Sequence, residues 1–239
     1  MKTFHTEKAF NELIKKSKTS SYSQINNFPK FIRRQQIAKF LARYEVFKRQ
    51  VNIKGSIVEC GVDEGFGVMT FAHFSAILEP YQYFRKIIAF DTFAGFPSIS
   101  DKDKKNKKSK KGTFKRDYNT YDDLKKSINT FDKNRFLNNR SKIELIKGDA
   151  IKTIPKYLKK NKHLLISLLW LDFDIYEPTK VALENFLPIM PKGSIIVFDE
   201  LNNKEWPGET LAFLDQKNIK YKRLETIVFE PNLSFIQIK

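Results

Sequence analysis

The sequence predicts an α/β protein built on a doubly wound, mostly parallel sheet of seven strands that closes with an antiparallel hairpin. Two observations lead to this prediction. Short apolar, β-branched runs alternate with helical segments along most of the chain, and such alternation is typical of parallel βαβ units. One run, Leu164–Asp172, is apolar at nearly every position, as a strand buried on both faces must be.

Composition limits the class of protein. The chain has 239 residues, of which 41% are hydrophobic and 14% aromatic, and this is enough to bury the core of one large α/β domain. A single cysteine excludes an internal disulfide framework and a cysteine-rich zinc site. No run approaches the roughly 18 apolar residues of a membrane span, and the N-terminal segment lacks the apolar stretch of a secretory signal. We therefore expect a cytoplasmic protein without a membrane span.

Residues 1–50 are predicted to form an N-terminal helical cap or lid, and residues 51–239 a single globular domain. The segment Lys2–Lys18 has the composition of a short polar helix, and a Ser/Asn-rich break follows as far as Pro29. Between Lys30 and Arg49 the apolar residues fall three or four apart, which places them on one face of a second helix.

Strands and helices then alternate to the end of the chain. Seven β-branched or apolar runs are predicted strands: Ser56–Cys60, Lys86–Asp91, Lys142–Lys147, Leu164–Asp172, Ser194–Asp199, Tyr221–Val228 and Leu233–Ile238. Helices are predicted between them, over Val68–Leu78, Tyr121–Phe131, Ile151–Lys160, Pro178–Phe186 and Gly208–Gln216. Glu230-Pro231-Asn232 is a turn signal between the last two strands, so these strands are expected to form the closing hairpin.

The formal net charge of the chain is +17. Such a charge suggests a polyanionic partner, for example nucleic acid, an anionic membrane surface or a phosphorylated substrate. A Lys- and Asn-rich composition gives the same surplus without any such partner, because scattered lysines form no binding groove. Part of the charge is concentrated between Asp101 and Asp117, which contain nine basic and three acidic residues. The stretch Asp101–Lys111 has no apolar residue to anchor it, so we expect a mobile surface loop.

Acidic residues stand at the carboxyl ends of the first five predicted strands. In open α/β sheets, ligands bind outside these ends. Turns favour Asp and Gly in any case, but five acidic ends in succession on one edge of a sheet indicate a binding site. The acids are Glu59 with Asp63 and Glu64, Asp91, Asp149, Asp172 with Asp174, and Asp199 with Glu200.

The first of these ends, ECGVDEGFG, has glycines that let the backbone approach a ligand closely, although their spacing is not that of a dinucleotide fingerprint. Glu59 suits a cationic amine better than a pyrophosphate. Asp91 is placed to hold ribose hydroxyls, and Asp149 to accept from an adenine amino group. Together they favour a nucleoside with a charged amino-acid tail, which is S-adenosylmethionine. The predicted cofactor-binding residues are Glu59, Gly61, Val62, Gly65, Asp91, Thr92, Asp149, Ala150 and Asp172.

The fourth and fifth strands bring a second group of acids to the same edge. Because the ends of neighbouring parallel strands meet, four carboxylates would crowd one spot and raise one another's pKa values. A hard divalent cation would relieve this repulsion, and oxygen-only ligands suit Mg²⁺ or Mn²⁺ rather than zinc. Alternatively, some of the acids point away or pair with lysines. The four are Asp172, Asp174, Asp199 and Glu200.

Three segments of the chain resemble the macrocin O-methyltransferase family, which includes sugar O-methyltransferases of antibiotic tailoring. They are ECGVDEGFG, DTFAGFP and LDFDIYEPTKVALENFLPIMPKGSIIVFDE, and the resemblance runs from about Gly55 to Glu209. It implies a class I methyltransferase (Rossmann-like) domain over residues 51–239, which transfers a methyl group from S-adenosylmethionine to a hydroxyl with the help of Mg²⁺. By this resemblance Asp172, Asp199 and Glu200 match the metal ligands, Asp174 the general base and Asp91 the ribose-binding acid.

The chain departs from the family pattern at four places. Asp199-Glu200 stands where the family has two aspartates, and GDAIKTIP stands where the family has G-W-F-x-D-T-L-P. Asp91-Thr92-Phe93 stands where the family has DSF, which is a conservative change. The lysine-rich segment after Pro97 is not part of the pattern. The identity of the acceptor therefore cannot be transferred from the family, and the predicted partner is a small hydroxylated acceptor, a sugar or glycosylated metabolite. A homo-oligomer is one option for the assembly.

Two other functions are considered. A nucleic-acid methyltransferase would fit the charge, but LDFDIYEP stands where amino-methylating enzymes carry N-P-P-[YFW], so nucleic acid is the less favoured partner. A non-catalytic binding protein with the same fold would not need the complete set of acids. Two further residues near the edge are expected to be structural or to contact the acceptor: Cys60 belongs to the core, and Trp206 either belongs to the core or stacks on a sugar.

Overall fold

The structure is a computed structural model, and it describes residues 2–104 and 108–239. The chain forms two compact units, Met1–Ala42 and Arg43–Lys239, whose boundary lies inside the third helix. The predicted division at residue 50 stays a prediction. In the part of the chain that is described, no helix combines the length and the apolar character needed to cross a membrane.

The first unit is helical. It contains helix α1 (Lys2–Lys16), helix α2 (Ser21–Asn26), a 3₁₀ turn at Phe28–Lys30 and the start of α3 (Arg34–Gln50). Helix α2 corrects the expectation of an irregular break before Pro29. Its N-terminus is capped by the hydroxyl of Ser20, which accepts from the backbone N–H of Ser23 at 3.2 Å. Serine and asparagine are common in loops and are also the preferred caps of helices, so composition alone did not separate the two.

The second unit contains the sheet and the remaining helices. Its strands are β1 (Ser56–Cys60), β2 (Ile87–Asp91), β3 (Ile143–Lys147), β4 (Ile166–Leu171), β5 (Ile195–Phe198), β6 (Glu225–Ile227) and β7 (Glu230–Gln237). Its helices are α4 (Phe66–Leu78), α5 (Thr120–Lys133), α6 (Ala150–Lys160), α7 (Tyr176–Phe186) and α8 (Gly208–Asp215), with a further 3₁₀ turn at Leu187–Ile189.

The seven strands form one sheet in the order β3-β2-β1-β4-β5-β7-β6. Neighbours among β1 to β5 are parallel, whereas β7 pairs antiparallel with both β5 and β6. This confirms the predicted mostly parallel sheet with a closing hairpin. The sheet starts with β1 in its middle, the chain runs outward through β2 to β3, and it then returns to form β4 on the other side of β1. The strand order therefore reverses between β1 and β4.

Each face of the sheet is covered by apolar side chains. On one face, a core cluster joins Val58, Cys60 and Phe90 to residues of α6, α7 and α8. On the other face, Trp170 of β4 packs edge to face against Phe71 of α4, with ring centroids 5.6 Å apart. All six residues of β4 are buried. This explains why its sequence is apolar on successive positions, since a strand between two helical layers has no solvent-facing side.

The position of the closing turn differs from the prediction. The turn occupies residues 228–229, and Glu230-Pro231-Asn232 already belongs to β7. Thr226 fixes this register through its hydroxyl, which donates to the carbonyl of Leu233 at 2.8 Å. A proline is tolerated at this end of β7 because strand ends leave positions where no ladder N–H is required.

The lysine-rich segment is more firmly attached than expected. Residues 105–107 of the predicted mobile loop lie outside the described residues. Before them, Asp103 is only 2% exposed, and its carboxylate accepts from the backbone N–H of Tyr176 at 3.1 Å and from the hydroxyl of Ser100. Tyr176 opens helix α7, whose first N–H groups have no partner within the helix. The segment has no apolar residue to attach it to the core, and the buried carboxylate of Asp103 attaches it instead.

Candidate active site

The carboxyl ends of the five parallel strands β1 to β5 lie along one edge of the sheet. The backbone N–H of Asp172 donates to the carbonyl of Cys60 at 2.8 Å, and that of Asp199 to the carbonyl of Leu171 at 3.1 Å. On the other side, the N–H of Gly148 donates to the carbonyl of Asp91 at 2.8 Å. The structure therefore brings together all five acidic strand ends that the sequence singles out.

The turn after β1 passes so close to its neighbours that two of its positions have no room for a side chain. Gly61 has φ +92°, and a Cβ there would overlap the carbonyl oxygen of Asp172. A Cβ on Gly67, in the first turn of α4, would overlap the carboxylate of Glu59. The predicted cofactor residue Gly65 is the N-cap of α4, and its N–H donates to the carbonyl of the buried Val62 at 2.8 Å. Backbone packing at the end of β4 thus requires glycine at position 61, whereas a side chain at position 67 would have to displace the Glu59 carboxylate.

Glu59 is a buried carboxyl with an unused oxygen. It is 2% exposed, and its Oε2 has no hydrogen-bond partner. Burial raises the pKa of Glu59 to about 8, the charge of Arg43 lowers it, and the charges of Asp199 and Asp91 raise it. A buried polar atom without a partner is costly, so a cationic ligand at this place would find an acceptor waiting for it.

Asp91 holds the glycine-bearing turn in place. One carboxylate oxygen accepts from the backbone N–H groups of Val62 at 2.6 Å and Asp63 at 3.1 Å, and the other accepts from Phe93 at 2.6 Å. The neighbouring Thr92 donates its hydroxyl to the carbonyl of Gly95 at 2.6 Å. Thr92 thus shapes its own turn, while Asp91 links the ends of β1 and β2.

Asp149 is the N-cap of helix α6. Its Oδ1 accepts from the backbone N–H of Ile151 at 3.0 Å, and Ala150 beside it is 4% exposed. Capping by aspartate stabilises a helix whether or not a ligand is bound. The residue predicted to contact adenine therefore has a structural task as well, which uses one of its two oxygens.

The second group of acids raises the pKa values of its own members. Burial raises the pKa of Asp172 well above its usual value, and the charges of Asp199 and Asp174 raise it further. Burial, Glu200 and Asp199 raise the pKa of Asp174 to about 8. Asp174 also has φ +61°, a left-handed conformation that is uncommon outside glycine. The four acids predicted to crowd one spot are therefore close enough to repel one another.

A fifth acid, Glu209, belongs to this group and was not predicted. It lies in the first turn of α8 and is 0% exposed. Its Oε2 accepts from the backbone N–H of Glu200 at 3.3 Å, whereas its Oε1 has no partner. Burial raises its pKa, as do the charges of Asp199 and Asp174. In the sequence it resembles the ordinary acid of a helix N-terminus, so only its position after Trp206-Pro207-Gly208 could have drawn attention to it.

The donor chemistry of these acids fits a hard divalent cation. All five offer carboxylate oxygens, which Mg²⁺ and Mn²⁺ prefer, and one of these oxygens, Oε1 of Glu209, has no hydrogen-bond partner. Across residues 2–104 and 108–239, however, no group of three or more His, Cys, Asp or Glu side chains is already arranged to hold an ion. The donor atoms of these residues therefore fit a divalent cation, but the described side chains do not converge on one position.

The lysine-rich segment and its flanks border the same edge. Arg116 forms an ion pair with Asp63, and the hydroxyl of Tyr118 donates to the carboxylate of Glu64 at 2.6 Å. The same segment also contributes to an aromatic cluster, in which Trp206 packs against Phe96 and Phe114 with centroid distances of 5.9 and 5.6 Å. Trp206 is partly exposed, so it belongs to an aromatic cluster at the rim and not to the core.

Cys60 and His73 take no part in the site. Cys60 is fully buried, and burial raises the pKa of its thiol, which disfavours the reactive thiolate. His73 packs edge to face against Phe131 with centroids 4.9 Å apart, and burial lowers its pKa. The expectation that Cys60 belongs to the core agrees with its burial, and the contact of His73 with Phe131 gives this histidine a structural role.

Comparison with known proteins adds names to this geometry. The family model described as macrocin O-methyltransferase (TylF) matches residues 29–227. No curated protein matches the sequence. Among solved structures, the calicheamicin methyltransferase CalS11 is 32% identical, with a TM-score of 0.94 over 98% of this chain and 91% of that one.

Two further structures show the same architecture. The apo form of CalS11, described as a TDP-rhamnose 3'-O-methyltransferase of calicheamicin biosynthesis, is 29% identical, with a TM-score of 0.85 over 98% of this chain and 93% of that one. The O-methyltransferase NovP is 18% identical, with a TM-score of 0.65 over 85% of this chain and 80% of that one. The chain thus has the class I methyltransferase fold that the resemblance implied.

Proposed function

Since the chain belongs to the macrocin O-methyltransferase family, we propose that it methylates a sugar hydroxyl of a small glycosylated acceptor with the help of Mg²⁺. Family membership makes it an S-adenosylmethionine-dependent O-methyltransferase. The observation that carries the proposal for the acceptor and the metal is the group of carboxylates at the ends of β4 and β5, directly beside the glycine-bearing turn. The sugar specificity of CalS11 supports a sugar as acceptor.

The glycine-bearing turn and its neighbours are proposed to bind the cofactor. Glu59 would take the ammonium group of S-adenosylmethionine, because its buried Oε2 lacks a partner. Asp91 would take the ribose hydroxyls with lone pairs that its backbone contacts leave unused, and Asp149 the adenine amino group with its second oxygen. Positioning of the sulfonium methyl against the acceptor would then supply much of the rate acceleration.

The metal ligands are proposed to be Asp172, Asp199 and Glu200. Mg²⁺ held by these carboxylates would lower the pKa of an acceptor hydroxyl and so favour the loss of its proton. Asp172 and Asp199 end the adjacent strands β4 and β5, so both carboxylates are supplied from rigid positions. Glu200 is longer than the aspartate expected there, and its Oε2 accepts from the side-chain amide of Asn203 at 3.0 Å.

Asp174 is proposed as the general base. It stands two residues beyond Asp172, and its left-handed backbone turns the chain away from the strand direction at this point. In the reaction the acceptor oxygen forms a bond to the methyl carbon, the carbon–sulfur bond breaks to leave S-adenosylhomocysteine, and Asp174 accepts the hydroxyl proton. We also propose a cytoplasmic location, which the sequence predicts from the single cysteine and from the lack of an apolar span and of a signal-like apolar stretch at the N-terminus.

The test is a screen of glycosylated and sugar acceptors with labelled S-adenosylmethionine, with Mg²⁺ and with a chelator, followed by two substitutions. Asp199→Asn should weaken Mg²⁺ affinity, and activity should partly return at high metal concentration. Asp174→Asn should leave Mg²⁺ affinity nearly unchanged and lower turnover by roughly 10²–10⁴-fold. Activity that ignores chelation, or full turnover of Asp174→Asn, would contradict the mechanism.

A further inference from the structure

The charge of the lysine-rich segment is only partly neutralised. Residues 101–104 and 108–117 contain seven basic side chains, four of which form ion pairs with acids: Lys102 with Asp215, Lys104 with Asp101, Lys108 with Glu205, and Arg116 with Asp63 and Glu64. The other three have no acidic partner in the described part of the chain and are exposed: Lys110, Lys111 and Lys115. These three lysines lie within six residues of one another, in one turn of the described chain.

This turn is built into the protein by its backbone. The N–H of Gly112 donates to the carbonyl of Phe96 at 2.9 Å, and the N–H of Phe96 donates to the carbonyl of Thr113 at 3.1 Å. The hydroxyl of Thr113 donates to the carbonyl of Lys108 at 2.8 Å. Because Phe96 follows β2 by five residues, the lysines are held beside the carboxyl edge of the sheet and do not belong to a free loop.

The same turn carries an exposed aromatic residue, Phe114, which lies between Lys111 and Lys115 in the sequence. Phe114 is 50% exposed, and it packs against Phe96 at 5.3 Å and, at a tilt of 37°, against Trp206 at 5.6 Å. A ring that is held by two other rings and is half exposed to solvent can stack on a planar ligand. The next residues join the turn to the cofactor side, since Arg116 pairs with Asp63.

We propose that the turn Lys110–Lys115 binds the diphosphate of a nucleoside-diphosphate sugar, which is the acceptor of this enzyme, while Phe114 stacks on its base. This inference rests on the proposed function. Three exposed lysines and one exposed ring in the same turn offer partners for both parts of this ligand, the doubly charged diphosphate and the planar base. A neutral glycoside carries no charge that these lysines could bind. A nucleic acid needs a longer row of unpaired cations than one turn provides.

The probe is thymidine diphosphate, titrated into the full chain saturated with S-adenosylhomocysteine. The chain has two tryptophans. Trp170 is 0% exposed, so a change in fluorescence on binding would report Trp206. The triple variant Lys110→Gln, Lys111→Gln, Lys115→Gln should weaken binding about tenfold or more, and Phe114→Leu, which keeps the apolar volume, about tenfold. The matched control is Lys156→Gln, Lys159→Gln, Lys160→Gln on the exposed side of α6, which removes the same charge and should bind as the wild type does.

The outcomes separate this inference from the function beneath it. If the wild type binds S-adenosylhomocysteine but not thymidine diphosphate, or if both triple variants bind the diphosphate equally, the inference is wrong and the methyltransferase proposal stands. Tighter binding of a single-stranded oligonucleotide than of the diphosphate, lost in both triple variants, would overturn it in favour of a general polyanion surface. Failure of the wild type to bind S-adenosylhomocysteine would instead contradict the proposed function.

Discussion

At the scale of single residues, two glycines of the site leave space that a neighbouring group occupies. Gly67 leaves the space that the Glu59 carboxylate fills, and Gly61 leaves the space that the Asp172 carbonyl fills. The two glycines therefore act on different parts of the site. One sets the position of a proposed cofactor ligand, and the other sets how closely the turn approaches the end of β4.

Glu59→Gln should raise the stability of the protein relative to the wild type as the pH rises, and it should lower the affinity for the cofactor. In the folded protein Glu59 has a pKa of about 8, compared with an ordinary value of 4.5. Between these two pH values the unfolded chain binds fewer protons than the folded one, so the wild type loses stability as the pH rises. Glutamine has no such titration, and the stability of the variant relative to the wild type should therefore grow from pH 4.5 to pH 8.

The measurement is chemical denaturation across this pH range, together with titration of S-adenosylhomocysteine, whose affinity should fall in the variant. Glu184→Gln on the exposed face of α7 is the matched control, and it should change neither quantity. A pH-independent difference between Glu59→Gln and the wild type would show that the buried carboxyl does not titrate as described.

Gly61→Ala and Gly112→Ala should differ although both positions have positive φ, +92° and +82°. Alanine at Gly112 meets nothing within 4 Å, so only the left-handed backbone is penalised, by about 1 kcal/mol. Alanine at Gly61 must also displace the Asp172 carbonyl, which raises the loss to more than about 2 kcal/mol. Urea denaturation of the two variants tests this order, and equal losses would mean that the turn relaxes away from β4.

At the scale of elements, the strand ends and the helix starts share the same residues. Asp149 follows β3 and caps α6, and Glu209 opens α8 while facing the strand-end acids. In each case a residue type that favours a helix N-terminus also lies at the edge where ligands bind. A substitution at such a position changes helix stability and ligand affinity together unless the new residue keeps the cap.

Asp149→Ser separates these two effects. Serine caps a helix about as well as aspartate does, but it is one atom shorter and cannot reach an adenine amino group while it caps. The variant should unfold within about 0.5 kcal/mol of the wild type and bind S-adenosylhomocysteine more weakly. Asp149→Ala should lose about 1 kcal/mol of stability as well. Wild-type affinity in Asp149→Ser would remove Asp149 from the cofactor site.

At the scale of the whole molecule, the charge of +17 is not evenly available to a partner. Residues 101–117, with nine basic and three acidic residues, account for +6 of this charge. Four of the described cations of this segment pair with acids, including Asp63 and Glu64 of the glycine-bearing turn. Lys110, Lys111 and Lys115 have no acidic partner among the described residues. Family membership makes the chain an enzyme, and this distribution of charge fits a small anionic acceptor better than a nucleic acid.

S-adenosylhomocysteine should raise the melting temperature of the whole chain. A ligand that binds only the folded state at about 100 times its Kd adds about 2.7 kcal/mol, which corresponds to a rise of about 5 to 10 °C for a domain of this size. NAD should have no effect, because the glycine spacing is not that of a dinucleotide site. A rise with NAD and none with S-adenosylhomocysteine would contradict the assignment of the cofactor.

The order of strands and helices was readable from the sequence, because runs of apolar residues and their spacing are local properties. The acids at the strand ends were equally readable, since parallel strands present their carboxyl ends at one edge. The misplaced hairpin turn and the missed helix α2 arose where one composition suits two local structures. Glu230-Pro231-Asn232 suits a turn as well as a strand end, and Ser20 suits a loop as well as a cap.

Only the tertiary structure decided which distant groups meet. It placed Glu209 beside the strand-end acids, the Glu59 carboxylate over Gly67, and Asp103 at the start of α7. It also decided which lysines are paired with acids and which are not. These facts depend on the packing of segments that are far apart in the chain. The sequence by itself determined the fold class and the edge that carries the site, because both follow from local pattern and sheet geometry.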